Sequence, residues 1–158
     1  MTGRLNVPAV MAAVLGLFML LAGFATMIPS LVHDRLPQQF IPTCSWLLNQ
    51  VMDAPSEELV MTAARTSQVI IAVTELTVGV VMLAAAFWPR RRVGLTNLGV
   101  GLAVGLFGAF MMTMFAMHDK SLPGWNQYPS ILAWLGATWL VVSLTDGRSG
   151  PSNQGPAA

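Results

Sequence analysis

From Ser67 to Trp88 the chain runs through apolar residues long enough to cross a bilayer, with one ionisable side chain, Glu75, well inside the run. A transmembrane helix needs about 20 consecutive apolar residues. Inside hydrocarbon every backbone polar group must be satisfied within its own segment, so such a run is constrained to be a helix. Three more apolar runs of comparable kind surround it, and only 9% of the 158 residues are charged. Soluble domains carry about 25% charged residues. The reading is an all-α integral membrane four-helix bundle, with residues 1–147 as the membrane domain and 148–158 as a flexible or partner-ordered C-terminal tail. The spans are expected at about 7–28, 67–88, 93–117 and 130–145.

The first run follows Arg4 and exceeds the about 7–15 apolar residues of a secretory signal, and no small-x-small cleavage site follows it, so it reads as a retained span. Ala12, Gly16 and Gly23 form a small-residue stripe on it at helical spacing. Residues 29–55 form the longest connection. Within it Pro42-Thr43 starts and Pro55 stops a short helix, with Trp46, Leu47, Val51 and Met52 near one face. That pattern predicts a helix lying on the membrane surface in the first outer loop. Ser56-Glu57-Glu58 reads as a cap followed by first-turn acids. From there the helix can run unbroken to Trp88, where Pro89 and the run Arg90-Arg91-Arg92 end it as a topology or lipid-headgroup anchor.

The third span carries Gly101, Gly105 and Gly108 on one face with Met112, and the fourth carries Ala133 and Ala137. Small residues at such spacing let helix backbones approach closely in lipid, so with Gly16 these are the expected packing positions. Positive charges near the spans set orientation. Arg4, Arg90, Arg91, Arg92 and Arg148 fall on one side. Arg35, Arg65 and Lys120, offset by acids, fall on the other. Both termini are therefore expected in the cytoplasm, and the chain in a bacterial inner membrane.

The net charge of +1 offers no basic surface for nucleic acid. A single cysteine, Cys44, excludes an internal disulfide and a cysteine-based zinc site, and it reads as a loop thiol near the membrane surface. No catalytic triad, phosphate loop, metal-protease motif or dinucleotide fingerprint is present. What remains is Glu75. An ionisable residue at membrane depth marks a functional site by default. It lies about six residues, roughly 9 Å, inside the outer end of its run. Gly23, Met112 and Thr138 fall at a similar level, and Gly79 follows one turn later on the same stripe. The expectation is a pocket formed by Glu75, Gly79, Gly23, Met112 and Thr138, with Glu75 accepting a proton or binding a headgroup. The competing reading has Glu75 bonded to a neighbouring threonine or carbonyl, fixing helix pairing.

His33-Asp34-Arg35 and His118-Asp119-Lys120 echo each other past the first and third spans, and Gly-Leu-Phe occurs upstream of each, at Gly16 and Gly105. The echo suggests two hairpins in tandem. His33 and His118 on one membrane face could ligate a metal or a haem; the favoured reading is ordinary interfacial residues at helix ends.

Leu15-Gly-Leu-Phe-Met-Leu-Leu-Ala-Gly-Phe-Ala-Thr-Met27 looks like the opening of the DoxX-like membrane proteins, as does Glu75-Leu-Thr-Val-Gly79 followed by an apolar run, a basic turn and a glycine-rich span. The resemblance implies a bacterial inner-membrane four-helix protein, linked to quinone-coupled sulfur oxidation or partnering membrane redox systems. It carries over Glu75 and Gly79 as matching positions and makes neither catalytic. Three functions follow as expectations. The first is a small accessory subunit of a larger respiratory or electron-transfer membrane complex, its partners being lipid and other membrane subunits. The second is a quinone-linked oxidoreductase subunit with Glu75 as proton acceptor. The third is a small proton-coupled transporter, ranked last because small multidrug exporters place their glutamate in the first span. No cofactor is firmly implied; quinone or haem would be the candidates.

Overall fold

Four apolar runs without internal strand punctuation leave helices as the only way to close the backbone in an apolar medium. The computed structural model describes residues 6–33, 35–118 and 127–146 and is all-helical, with no strand among them. The elements are α1 (Val7–His33), α2 (Phe40–Asn49), α3 (Glu57–Phe87), a 3₁₀ turn (Pro89–Arg91), α4 (Arg92–Met117) and α5 (Tyr128–Asp146). Helices α1, α3, α4 and α5 are each long and apolar enough to cross a membrane. They form a ring in which α1 packs on α3, α3 on α4, α4 on α5 and α5 back on α1, with α2 laid against α3 and α4. The tail expected at 148–158 lies outside the described residues.

One helix boundary differs from expectation. Pro29 does not end the first helix: α1 continues through it for one more turn, and the carbonyl of Pro29 accepts from the backbone N–H of Arg35 at 3.2 Å. A proline ring only removes a donor and crowds the preceding turn, which a helix near its end tolerates. At the other end of the connection α3 begins where the sequence placed its cap, with Ser56 as the N-cap accepting from the N–H of Leu59 at 3.3 Å.

Inward-facing residues of all four long helices form one core, including Ala12, Leu15 and Met19 of α1, Val78 and Met82 of α3, Ala103 and Phe107 of α4 and Leu135 of α5. Phe18 meets Trp134 edge to face at 5.3 Å, and Tyr128 is sandwiched near Phe107 and Phe110 at 5.8 and 5.6 Å. These aromatic pairs, each contributing about 0.5–1.5 kcal/mol beyond burial, tie α5 into the ring.

The tightest seam is α1 on α3. A Cβ on Gly16 would meet the backbone N of Leu83 at 2.9 Å and the carbonyl of Gly79 at 3.0 Å; one on Gly79 would meet the backbone N of Leu20 at 2.9 Å. One on Gly23 would meet Leu76 at 2.8 Å and the carbonyl of Ala72 at 3.1 Å. These three positions bring two backbones together because hydrogen is the largest substituent that fits. The stripe on α4 is different. Nothing lies within 4 Å of a Cβ on Gly101, Gly105 or Gly108, and Ala133 and Ala137 are exposed on α5. The expectation that these pack helices is not met inside the chain: α4 turns Gly99, Val100, Ala103, Phe107 and Met114 inward, and Gly101, Gly105 and Gly108 lie on a different face of the helix. The two glycines of the tandem echo differ in setting: Gly16 is buried in a helix seam and its counterpart Gly105 faces outward.

The basic turn also departs from expectation. Arg90 and Arg91 are exposed and suit an anchor, but Arg92 is buried. Its Nη1 donates to Asp146 at 2.7 Å and to the side-chain oxygen of Asn6 at 3.2 Å. Its Nε and Nη2 donate to the carbonyls of Ala85 and Ala86 at 3.0 and 3.3 Å. The last carbonyls of a helix lack intrahelical partners, and the negative end of the helix dipole favours a cation there. One guanidinium thus gathers the start of α1, the end of α3, the start of α4 and the end of α5. It places both ends of the four-helix ring on the same side.

Candidate functional site

The glycine seam ends in polar groups. On α3, Gln68 and Glu75 stand two turns apart on the side that faces α1, and both are buried, at 2% and 6% exposed. Between them on α1 sits Thr26. Its hydroxyl donates to Glu75 Oε2 at 2.8 Å, and its backbone carbonyl accepts from Gln68 Nε2 at 2.6 Å. Two α3 side chains therefore grip one α1 residue by its side chain and its main chain. Buried polar groups are costly unless paired, so this grip fixes both rotation and register of the two helices.

No family model, curated protein or solved structure matches the chain. The site is therefore read from its own geometry. Of the five residues expected around a pocket, Glu75, Gly79 and Gly23 do come together along the α1–α3 seam. They leave no vacancy, because Leu20 and Leu76 fill the space above the two glycines. Thr138 faces the bundle but spends its hydroxyl on the carbonyl of Trp134, in its own helix, at 2.9 Å. Met112 is 74% exposed and points out of the bundle, because α4 presents Met114 to the interior instead. The expected five-residue pocket does not form. Thr26 and Gln68, which complete the site, were missed. The signal for Gln68 is its seven-residue spacing from Glu75, which returns a helix to nearly the same face.

A cavity of about 200 Å³ does exist, one step around the bundle, between α2, α3 and α4. Cys44 lies in its wall. The thiol is on helix α2 and buried, not on a surface loop, and its sulfur is 3.7 Å from Ser67 Oγ. Helix α2 docks through Phe40 and Cys44 against Ala64, while Leu47, Val51 and Met52 remain exposed. Of the residues that sequence spacing grouped on one face, Leu47 lines this cavity beside Phe40 and Cys44, and Val51 and Met52 lie beyond the end of α2. A shallow groove of about 380 Å³ runs along the outside of α4 and α5, floored by Gly101 and Gly136 and rimmed by Asn97, whose side-chain oxygen accepts from the Trp139 indole at 2.9 Å.

His118 caps α4 in the left-handed conformation, with φ of 54°, and its Nδ1 lies 3.0 Å from the carbonyl of Ala116. His33 is the last residue of α1. No group of three or more potential metal-ligating side chains gathers among the described residues.

The arrangement around Glu75 makes a direct prediction. Thr26→Val should lower stability by about 1–3 kcal/mol, since it leaves a buried carboxyl short of its donor. Glu75→Gln keeps an acceptor for Thr26 and should cost less. Thermal unfolding in mild detergent measures both; equal losses would put the carboxyl's charge, rather than its hydrogen bond, at the centre of the seam.

Proposed function

We propose that this chain is a small accessory subunit of a larger bacterial membrane complex, of respiratory or other electron-transferring type. The observation that carries the reading is the open glycine face of α4. Gly94, Gly101, Gly105 and Gly108 have nothing within 4 Å of a Cβ, and Gly136 beside them on α5 is equally open. A glycine in a helix costs roughly 0.5–1 kcal/mol relative to alanine. In lipid, where helices gain little from hydrophobic burial, that cost is offset when another helix packs closely on the bare backbone. The inner seam of the bundle already uses glycine in this way, at Gly16, Gly23 and Gly79.

The distribution of arginines supports an inner-membrane orientation with both termini in the cytoplasm. The quinone-linked alternative makes Glu75 a proton acceptor. The hydrogen bond from Thr26 and the filled space above Gly23 and Gly79 favour a helix-pairing role for that carboxyl. Affinity purification of the tagged chain from native membranes in mild detergent tests the proposal. Larger membrane subunits should co-purify in fixed ratio, together with any haem or quinone that they hold. A chain recovered alone as a stable monomer would overturn it.

A further inference from the structure

The cavity between α2, α3 and α4 is used by nothing above, and it faces away from the open glycines of α4. We propose that it is a binding site for a small membrane-dissolved ring compound that carries one hydroxyl or carbonyl oxygen. Size sets the first limit. A cavity of roughly 150 Å³ lined by aliphatic and aromatic side chains accepts benzene, so about 200 Å³ accommodates a single substituted ring. The walls set the second. Phe40, Ile71, Leu106 and Phe110 line the space, and the Phe110 ring is stacked against Tyr128 at 14° between planes, which fixes it as a flat wall.

The third limit is chemical. Thr74, Thr77, Thr113 and Thr138 each donate to the carbonyl four residues back in their own helix, which satisfies a hydroxyl at membrane depth. Ser67 instead turns across the cavity wall to the thiol of Cys44, at the long separation of 3.7 Å. A thiol is a weak donor and a weak acceptor. The pair therefore presents a poorly used O–H and S–H, from α3 and α2, on the edge of a mostly apolar space whose lining also includes Gln39, Thr43 and Thr113. An oxygen on a bound ring would accept from Ser67 with a better partner than sulfur. An acyl chain fills apolar volume but uses neither donor, and that difference separates the two occupants.

The test uses the full chain in lipid nanodiscs and two fluorinated probes, 4-fluorophenol and fluorobenzene, with ¹⁹F line broadening read against empty nanodiscs. Binding of 4-fluorophenol should saturate, and Ser67→Ala should weaken it about fivefold, the loss of one ordinary hydrogen bond. Fluorobenzene should bind more weakly and be unaffected by Ser67→Ala. Ile71→Trp and Leu106→Trp, which fill the cavity from two helices, should each remove saturable binding, with helix content and melting confirming that at least one of them folds. Broadening that does not saturate, or that survives in a folded filled variant, overturns the proposal. Equal binding of both probes with no response to Ser67→Ala also overturns it and assigns the space to hydrocarbon chains.

Discussion

Arg92→Ala should be the most damaging single substitution in the chain, lowering stability by about 3–5 kcal/mol, the range seen when one partner of a buried ion pair is removed. Four groups lose their donor together: the Asp146 carboxylate, the Asn6 side chain and the carbonyls of Ala85 and Ala86. Asp146 is only 23% exposed, so water restores little of what the guanidinium supplied. Arg92→Lys should recover little of the loss. An ammonium is one compact donor centre and cannot reach in three directions at once from a planar fork. The double substitution Arg92→Ala with Asp146→Asn should be less damaging than Arg92→Ala alone, since it removes the uncompensated anion. Detergent-solubilised melting temperatures and the fraction recovered as monodisperse protein give the ordering. If Arg92→Ala melts like the wild type, the guanidinium does not hold the four helix ends.

The second large effect belongs to the α1–α3 seam, where one methyl group is enough. Gly16→Ala and Gly79→Ala should each cost about 1–3 kcal/mol, the usual penalty of overpacking. In both positions the added carbon meets backbone, which cannot swing aside: the N of Leu83 for Gly16 and the N of Leu20 for Gly79. The same change on α4 should have the opposite sign. Gly101→Ala and Gly105→Ala meet open space and gain helix propensity, so the isolated chain should become as stable or slightly more stable, by up to about 1 kcal/mol each. Melting curves of the four variants side by side separate a packed glycine from an open one. Loss of stability at Gly105 equal to that at Gly79 would mean that α4 buries Gly105, as it does Gly99, within the chain.

The helices themselves were legible, because long apolar runs in lipid have one solution and Ser56, Trp88 and Pro89 punctuate the longest of them. The inward direction of Glu75 was legible too, from the stripe that it shares with Gly79 and Met82, both buried. Spacing alone did not tell which glycines are inside. Gly16 and Gly105 sit in the same local sequence, yet only one meets a neighbouring backbone, because that choice depends on which partner helix arrives. Arg92 was hidden for a related reason. In sequence it is the third member of a basic run, and only the convergence of four helix ends makes it different from Arg90 and Arg91. Cys44 followed the same pattern: the packed face of α2 is set by Phe40 and Ala64, which lie far apart in the chain.

The most direct test of the accessory-subunit account places a photo-reactive amino acid at Gly101, Gly105 or Gly108 in native membranes, with Leu17 and Leu21, exposed on α1, as controls. Irradiation followed by mass spectrometry should give a defined protein adduct, with one larger membrane subunit, from the α4 positions and lipid adducts from the α1 positions. Lipid adducts from all five positions would contradict the account, because the glycine face of α4 would then be bare in the membrane as well.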